Sequence, residues 1–250
     1  MYVKNFTYLR NRENNMNQFT KSKTTLIIFA SLLSLSLVAG TIKTDNPERK
    51  RSNSEAFSET VYEKFENLQE MISDENYVEA RIGLEDLTKR RLNGFEEAMI
   101  NQYIGWIDSS EGKYVEAANR FQNAIDSGAL PNQVHFGLMH KLAEMYYVTN
   151  NNKKAIETLH QYYSEVDEIK DSILSLEANV YLKMKEYNKA ISVLEKAIAL
   201  ADEPSEDLNL LLYATHLELS HEKEAAKVLD TLIKINPSKK DYWNSITKKQ

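Results

Sequence analysis

The segment Tyr187-Asn188-Lys189-Ala190-Ile191-Ser192-Val193-Leu194 places an alanine three positions after a tyrosine and a leucine four positions after that alanine. An aromatic or polar residue, an alanine and a large apolar residue recur at this spacing in four other segments: Tyr77…Ala80…Leu84, Tyr114…Ala117…Phe121, Asn152…Ala155…Leu159 and Glu222…Ala225…Leu229. Residues three and four positions apart share one face of a helix, so the pattern predicts five similar amphipathic helices.

The five alanines recur at intervals of 37, 38, 35 and 35 residues. A second helical stretch precedes the motif, with a small residue twelve positions before the alanine at Gly105, Ala143 and Ala178. In the last unit the small residue Ala214 is only eleven positions before Ala225, which predicts a turn one residue shorter. A period near 35 with two helices per unit indicates an α-solenoid, because a single hairpin cannot bury its apolar faces alone.

Small residues should let the two helices of a hairpin approach closely, with Gly105 facing Ala117 and Ala178 facing Ala190. Large apolar residues should fill the seams between helices: Ile104, Phe121, Leu142, Tyr146, Leu159, Tyr181, Leu194, Leu212 and Leu229. Residues that favour turns or stop helices fall between the helical stretches: Gly112-Lys113, Asn150-Asn151-Asn152, Ser220-His221, Pro131, Pro204 and Pro237.

These positions resemble the tetratricopeptide repeat. One unit carries Ile104-Gly105, Gly112, Tyr114, Ala117, Phe121 and Ala124, and another carries Leu174, Ala178, Tyr181, Tyr187, Ala190, Leu194 and Ala197. The resemblance covers roughly residues 58–237, with four clear units and a weaker first one. It implies an all-α fold: a right-handed superhelical α-solenoid of about five hairpins at residues 55–237, then a C-terminal capping helix and tail at residues 238–250.

The last residues begin a sixth unit, with Trp243 where the family often has an aromatic residue. Four lysines there, Lys239, Lys240, Lys248 and Lys249, would give one helix the polar outer face of a solenoid cap. The alternative is that the C-terminus is a truncation of a longer ancestor.

Composition agrees with an all-helical protein, because the 250 residues include only seven Gly and four Pro. There is no Cys, which excludes disulfides, thiol nucleophiles, thiolate metal sites and a lipidated N-terminal cysteine. The formal net charge is −6. Without residues 1–40, which hold five of the 31 Lys and Arg and one of the 37 acidic residues, it is −10. An acidic chain of this kind is not expected to bind nucleic acid or anionic membrane surfaces.

Residues 1–40 have the pattern of a secretory signal peptide. Lys21 and Lys23 precede an apolar run from Leu26 to Val38, and small residues follow as far as Gly40. Thirteen helical residues rise only about 20 Å, too short for a bilayer core, so we predict cleavage and no stable membrane insertion afterwards. The expected location is the periplasm or the exterior; the alternative is a membrane tether by an uncleaved anchor. Translation is predicted to start at Met16, and residues 41–54 are predicted to be a disordered leader.

No arrangement of residues indicates catalysis, a cofactor or a metal. HExxH, GxxxxGK[ST], GxGxxG and GxSxG are all absent. The histidine pairs 135/140 and 216/221 are five positions apart, roughly 140° around a helix, whereas a helical metal pair needs a spacing of three or four. These histidines are therefore predicted to be solvated or in turns. Acidic residues are predicted to solubilise helix surfaces.

The concave face of a solenoid, lined by the first helix of each unit, is the expected surface for a protein or peptide partner. The repeat places ten residues there: Gln102, Trp106, Ser109, His140, Glu144, Tyr147, Asn179, Lys183, Thr215 and Glu218. Trp106 and Tyr147 are candidates to hold an extended peptide or a partner helix, and the alternative is that they pack between repeats. The Lys/Asn/Arg clamp of chaperone-binding relatives is missing, so recognition of an acidic C-terminal peptide is not expected.

The stretches Tyr77–Ala80, Tyr187–Ile191 and 210–243 are similar to periplasmic tetratricopeptide proteins encoded beside ExbB–ExbD–TonB components in marine Gram-negative bacteria. Those proteins are generally longer. The resemblance implies a non-enzymatic scaffold that is accessory to a TonB-type envelope complex. The alternatives are an envelope assembly or chaperone-like adaptor that holds extended peptide segments, and a subunit that lends specificity to a separate hydrolase.

Overall fold

The computed structural model describes residues 56–166, 169 and 171–241. Ten α-helices, a short 3-10 helix at Pro237–Lys239 and no strand lie in these ranges. The helices are α1 (Glu59–Ser73), α2 (Tyr77–Leu87), α3 (Gly94–Ser110), α4 (Tyr114–Asp126), α5 (Asn132–Val148), α6 (Asn152–Glu165), α7 (Asp171–Lys183), α8 (Tyr187–Leu200), α9 (Glu206–Glu218) and α10 (Glu222–Ile235). The predicted signal peptide, the leader and Trp243 lie outside the described residues, as does most of the predicted capping helix.

The described chain forms two compact units. Ser58–Leu87 contains α1 and α2, which pack against each other. The other unit contains Ala56, Phe57 and the chain from Thr88 onward, and its helices pair as α3 with α4, α5 with α6, α7 with α8 and α9 with α10. Within this second unit each hairpin contacts the next through α4 and α5, α6 and α7, and α8 and α9. The predicted all-α repeat architecture is confirmed.

The repeated motif supplies the interior of the hairpins. Ala80, Ala117, Ala155 and Ala190 are fully buried, and Ala225 is 2% exposed. The large apolar residue four positions later is buried in every hairpin: Leu84, Phe121, Leu159, Leu194 and Leu229. The other predicted seam residues are buried as well, namely Ile104, Leu142, Tyr146, Tyr181 and Leu212. The spacing in the sequence therefore identified the buried face of each helix correctly.

Close approach within a hairpin depends on glycine at two places. A Cβ at Gly105 would lie 2.6 Å from Cε1 of Phe121 and 3.0 Å from Cβ of Arg120. Gly105 therefore faces Phe121 and Arg120, a few residues beyond the predicted Ala117. In the first hairpin the arrangement is reversed: Gly83 lies on the second helix and faces Leu68 on the first.

All five hairpin turns share one backbone conformation. Glu75, Gly112, Asn150, Lys185 and Ser220 have φ between 56° and 78°, and each stands five positions before its motif alanine. After each of them, the next amide donates to a carbonyl five residues back in the first helix, as in a Schellman motif; Lys113 N to Asp108 O, at 2.8 Å, is one example.

The predicted shorter turn in the last hairpin is wrong. Ser220 occupies the same place as its counterparts, and α9 ends seven positions before Ala225, as α7 does before Ala190. Tyr213, not Ala214, therefore stands at the position of Gly105, and it is 4% exposed. Tyr213 packs with Ala225, Leu229 and Leu232, so this hairpin accommodates a large residue where others have a small one.

Replacing Lys185 with glycine is expected to raise the free energy of unfolding by about 0.5–1 kcal/mol. Its φ of 60° is unfavourable for a residue with a Cβ, and glycine adopts it without that cost. Urea denaturation followed by circular dichroism measures the change. Lys227→Gly, an exposed position in the middle of α10, is the matched control and should lose about 1 kcal/mol. Destabilisation by both variants would contradict the assignment of strain at Lys185.

Local signals set where several helices begin. At the start of α3, the Asn93 side chain accepts from Glu96 N at 2.9 Å, and the Glu96 carboxylate accepts from Asn93 N at 2.8 Å, forming a capping box. Ser205 caps α9, with its hydroxyl accepting from Leu208 N at 3.2 Å. Pro131 immediately precedes α5. None of the helices described is long and apolar enough to cross a bilayer.

Candidate functional site

Three of the ten residues predicted to bind a partner are largely inside the protein. Gln102 is 6% exposed, Trp106 8% and Thr215 1%. The Trp106 ring packs 5.6 Å from the ring of Tyr103, centroid to centroid. The Thr215 hydroxyl donates to Leu211 O at 2.6 Å within its own helix. These three side chains present little surface to a ligand and contribute to packing here.

The other seven predicted residues retain exposed surface. They are Ser109, His140, Glu144, Tyr147, Asn179, Lys183 and Glu218, and we refer to them together as the first-helix face. They come from α3, α5, α7 and α9, the first helices of four successive hairpins. Partner binding by this set remains a prediction.

Tyr147 and Lys183 join two hairpins at the centre of the first-helix face. Lys183 Nζ lies 4.3 Å from the centroid of the Tyr147 ring and donates to Tyr147 O at 2.8 Å. A cation over an aromatic face, with a second bond to the backbone, holds both side chains in place. α5 and α7, which carry the two residues, also contact each other directly. The pair therefore forms a fixed, half-buried patch.

An ion-pair cluster on α5 lies beside this patch. Glu144 receives Lys141 Nζ at 2.8 Å on one carboxylate oxygen, and His140 Nε2 lies 3.4 Å from the other. On α3, the Ser109 hydroxyl lies 3.6 Å from Sδ of Met145. The sequence analysis did not predict Lys141 or Met145 as part of this surface. Lys141 follows His140 and binds Glu144, and Met145 follows Glu144 and contacts Ser109.

Asn179 and Glu218 extend the first-helix face toward the C-terminus. The Asn179 amide donates to Ser175 O at 2.8 Å within α7. Burial first, and then the charge of Glu218 at the end of α9, raise the pKa of Tyr187 at the start of α8.

A buried carboxylate lies between α6 and α7. Glu177 is 5% exposed, accepts from the Tyr163 hydroxyl at 2.7 Å and lies 3.2 Å from Nε2 of His160. Burial and the hydrogen bond to Glu177 raise the pKa of Tyr163 far above its ordinary value. Acidic residues were predicted to solubilise helix surfaces. That is wrong for Glu177, and Glu96 and Asp108 are buried as well, at 2% and 4% exposed. The partners of Glu177 lie on the neighbouring helix, so the local sequence spacing does not reveal them.

The histidine prediction needs two corrections. His135 is buried at 4% exposed, with Nε2 3.1 Å from a Glu165 oxygen, so it is neither solvated nor in a turn. His216 is buried too, and its ring centroid lies 5.7 Å from that of His221. The expected separation of about 140° around a helix does not hold for His216 and His221, because α9 ends at Glu218. The turn that follows brings the His221 ring next to the His216 ring. No group of three or more potential metal ligands occurs in the described parts of the chain.

Stability is expected to fall on acidification below about pH 6.5 because of His216. Burial, and then the charge of His221, lower the pKa of His216. The unfolded chain therefore binds a proton that the folded chain does not, so unfolding becomes easier as the pH falls below the unfolded pKa. Urea midpoints from pH 8 to 5 measure this trend. His216→Met is expected to flatten it, and an unchanged slope in that variant would assign the effect to other groups.

A sequence comparison with known protein families supports the repeat. Residues 174–208, which span most of α7, all of α8 and the start of α9, match the tetratricopeptide repeat family. None of the curated proteins matches the chain in sequence.

Several solved structures share the fold at low sequence identity. MamA (residues 41 to the end) from Desulfovibrio magneticus RS-1 is 16% identical, with a TM-score of 0.61 over 73% of this chain and 98% of that one. YrrB, described as a tetratricopeptide protein with an unusual peptide-binding site, is 17% identical, with a TM-score of 0.61 over 78% and 99% of the two chains. A tetratricopeptide repeat protein from Parabacteroides merdae is 17% identical, with a TM-score of 0.61 over 72% and 68%.

The alanine motif, the hairpin turns and these likenesses agree with one another. The described region therefore has the fold of the tetratricopeptide repeat proteins, and residues 174–208 are a tetratricopeptide repeat by sequence as well as by structure.

Proposed function

We propose that this protein is an exported, non-enzymatic scaffold that binds another envelope protein through the first-helix face. The fold is one that serves protein–protein interaction, which supports the general role. The observation that carries the proposal is the continuity of the face: partly exposed polar and aromatic side chains occur on the first helices of four successive hairpins. A partner segment lying along these helices would contact several hairpins at once.

The centre of the face is held in place before any partner arrives. Lys183 is bound to the backbone and ring of Tyr147, and Glu144 is held by Lys141. Side chains that are already ordered lose little conformational entropy when they bind, so more of the contact energy contributes to affinity. Tyr147 supplies the aromatic surface that is common at the energetic centre of protein interfaces.

A role beside a TonB-type energy-transduction complex is the more specific form of the proposal. It rests on the similarity of three sequence stretches to periplasmic tetratricopeptide proteins and on the signal-peptide pattern of residues 1–40. Fractionation of cells producing the full chain, with intact mass measurement, tests the location. A mature species that starts near residue 41 in the periplasmic fraction is expected. A full-length species found only in the cytosol would refute export.

The double variant Tyr147→Ala/Lys183→Ala is expected to lose at least tenfold in partner recovery. The measurement is affinity capture from the envelope fraction with quantitative mass spectrometry. Tyr62→Ala, which removes an exposed tyrosine from α1, is the control and should retain the partner. Equal recovery with both variants would show that the first-helix face does not bind.

The identity of what is captured separates the two candidate roles. Inner-membrane energy-transduction proteins, lost in the double variant, would support the TonB-type role. A broad set of exported proteins with no common member would favour the alternative adaptor, which holds extended segments.

A further inference from the structure

A groove on the other side of the hairpins has no role in the proposal above. It lies between α4 and α6, the second helices of two successive hairpins, with Tyr146 of α5 between them. Its volume is about 560 Å³ and its lining residues are of polar types, among them Asn119, Gln122, Asn123 and Gln161, with carbon atoms making up about half of the surface that they present. Two of these four amides are already engaged, because Gln122 Nε2 donates to Asp126 Oδ1 at 2.8 Å and Gln161 Nε2 donates to Glu165 Oε1 at 2.9 Å.

The residues that line the groove carry no net charge, although the Asp126 carboxylate lies beside the lining residue Gln122. Lys154 and Glu157 both stand on α6 and are the only charged lining residues, one of each sign. The Tyr146 hydroxyl donates to Gln122 Oε1 at 3.3 Å. Burial first, and then Asp126 and Glu157, raise the pKa of Tyr146, so its hydroxyl stays protonated as a donor at neutral pH. In an otherwise acidic protein, this surface suits a ligand that is itself uncharged and rich in amide or hydroxyl groups.

The side-chain amides of Asn119 and Asn123 are the lining amides that are wholly unengaged. Their side chains make no hydrogen bond to any other described residue, and both are exposed. They are four residues apart on α4, so they lie on one face, about 6 Å apart along the helix axis. Alternate residues of an extended chain are about 6.6 Å apart. Each asparagine can therefore donate to and accept from the backbone of alternate residues in an extended segment.

An aromatic platform for stacking a sugar is missing from the groove. The Tyr146 ring is only 8% exposed, and Lys154 Nζ lies 5.3 Å from its centroid. A ligand in this groove would therefore be held by hydrogen bonds to the side-chain amides. Such hydrogen bonds suit a peptide backbone better than a sugar ring.

We propose that the groove between α4 and α6 is a second binding site, which takes an extended, uncharged peptide segment held by the amides of Asn119 and Asn123. Asn119 and Asn123 stand on the second helix α4, whereas the first-helix face is formed by first helices; α5 alone contributes to both, through Tyr146 on the groove side. The protein would then bind one segment on each side of the same two hairpins.

Selection from a phage library of random dodecapeptides, on the full chain, tests this site. Selected peptides are expected to lack charge and to lose affinity at least tenfold in Asn119→Ala/Asn123→Ala. Both positions are exposed in a helix, so alanine leaves the fold intact, which circular dichroism verifies. Asn188→Ala on α8 is the matched control and should bind as the wild type. Affinity should change little between 50 and 500 mM salt, because no ion pair is involved.

Three results would overturn the inference. One is that no peptide is enriched; another is that the peptides bind Asn119→Ala/Asn123→Ala as well as the wild type. The third is loss of binding in Tyr147→Ala/Lys183→Ala with retention in the asparagine variant, which would place the peptides on the first-helix face. That last result would support the proposed function while refuting this site, so the two failures are distinguishable.

Discussion

The Gly105→Ala variant is expected to be about 1–2 kcal/mol less stable than the wild type, although alanine favours helices. The new Cβ would lie 2.6 Å from the Phe121 ring and 3.0 Å from Arg120 Cβ, far inside ordinary contact distance. Phe121 is 1% exposed and has little room to move away. Overpacking of this kind costs about 1–3 kcal/mol, against a gain of up to about 1 kcal/mol in helix propensity.

Gly137→Ala is the matched control for this prediction. Gly137 is also inside a first helix, α5, but a Cβ there would meet nothing within 4 Å. It should gain about 0.5–1 kcal/mol from helix propensity alone. Urea denaturation followed by circular dichroism compares the two, and a gain in both would mean that α3 and α4 are not closely packed at Gly105.

A double-mutant cycle locates the cause of the loss. Phe121→Leu removes the ring atoms that Gly105→Ala would meet, so the second substitution should cost less in that background than in the wild type. Independent effects of the two substitutions would assign the loss to Arg120 or to the backbone.

Phe121→Ala is expected to have the largest effect, a loss of about 3–5 kcal/mol. Its ring fills the space beside Gly105 and is almost wholly buried, so removing it exposes apolar surface to a cavity that the helices cannot close. Thermal and urea unfolding measure the loss. Phe121→Leu should lose less than about 1.5 kcal/mol, which keeps the test informative if the alanine variant does not fold.

Val115→Ala on the same helix is the control for Phe121→Ala. Val115 is 59% exposed, so its truncation should change stability by less than about 0.5 kcal/mol. Similar losses at the two positions would contradict the inward orientation of Phe121.

The repeat pattern predicted which residues would be buried because burial follows helical periodicity. Ala117, Phe121 and Leu194 share a face fixed by spacing alone, and their burial is confirmed. Partners across helices were predicted less well. Gly105 was expected to face Ala117 and faces Phe121 instead, since the offset between two packed helices depends on the shapes of all their side chains.

The candidate site could be predicted only in outline. The projection placed Tyr147 and Lys183 on first helices, but their mutual contact joins residues 36 positions apart and needed the structure. Trp106 and Gln102 were also predicted to bind a partner, but both are buried. The repeat spacing gives the side of the helix on which a residue lies, but it does not show how deeply neighbouring hairpins cover that side. Asn119 and Asn123 were missed, although two asparagines four apart on a second helix were visible in the sequence.

The left-handed residue of every hairpin turn is occupied by a different amino acid: glutamate, glycine, asparagine, lysine and serine. The turn is therefore specified by its backbone hydrogen bonds and by the two helices that flank it, and not by any particular side chain. It follows that these turns are natural boundaries for recombination. Removing residues 151–185 would join Asn150 directly to Glu186. The helices α5 and α8 would then form one hairpin, connected by a turn of the same geometry. An array built this way can lengthen or shorten by whole hairpins during evolution while each remaining turn is preserved.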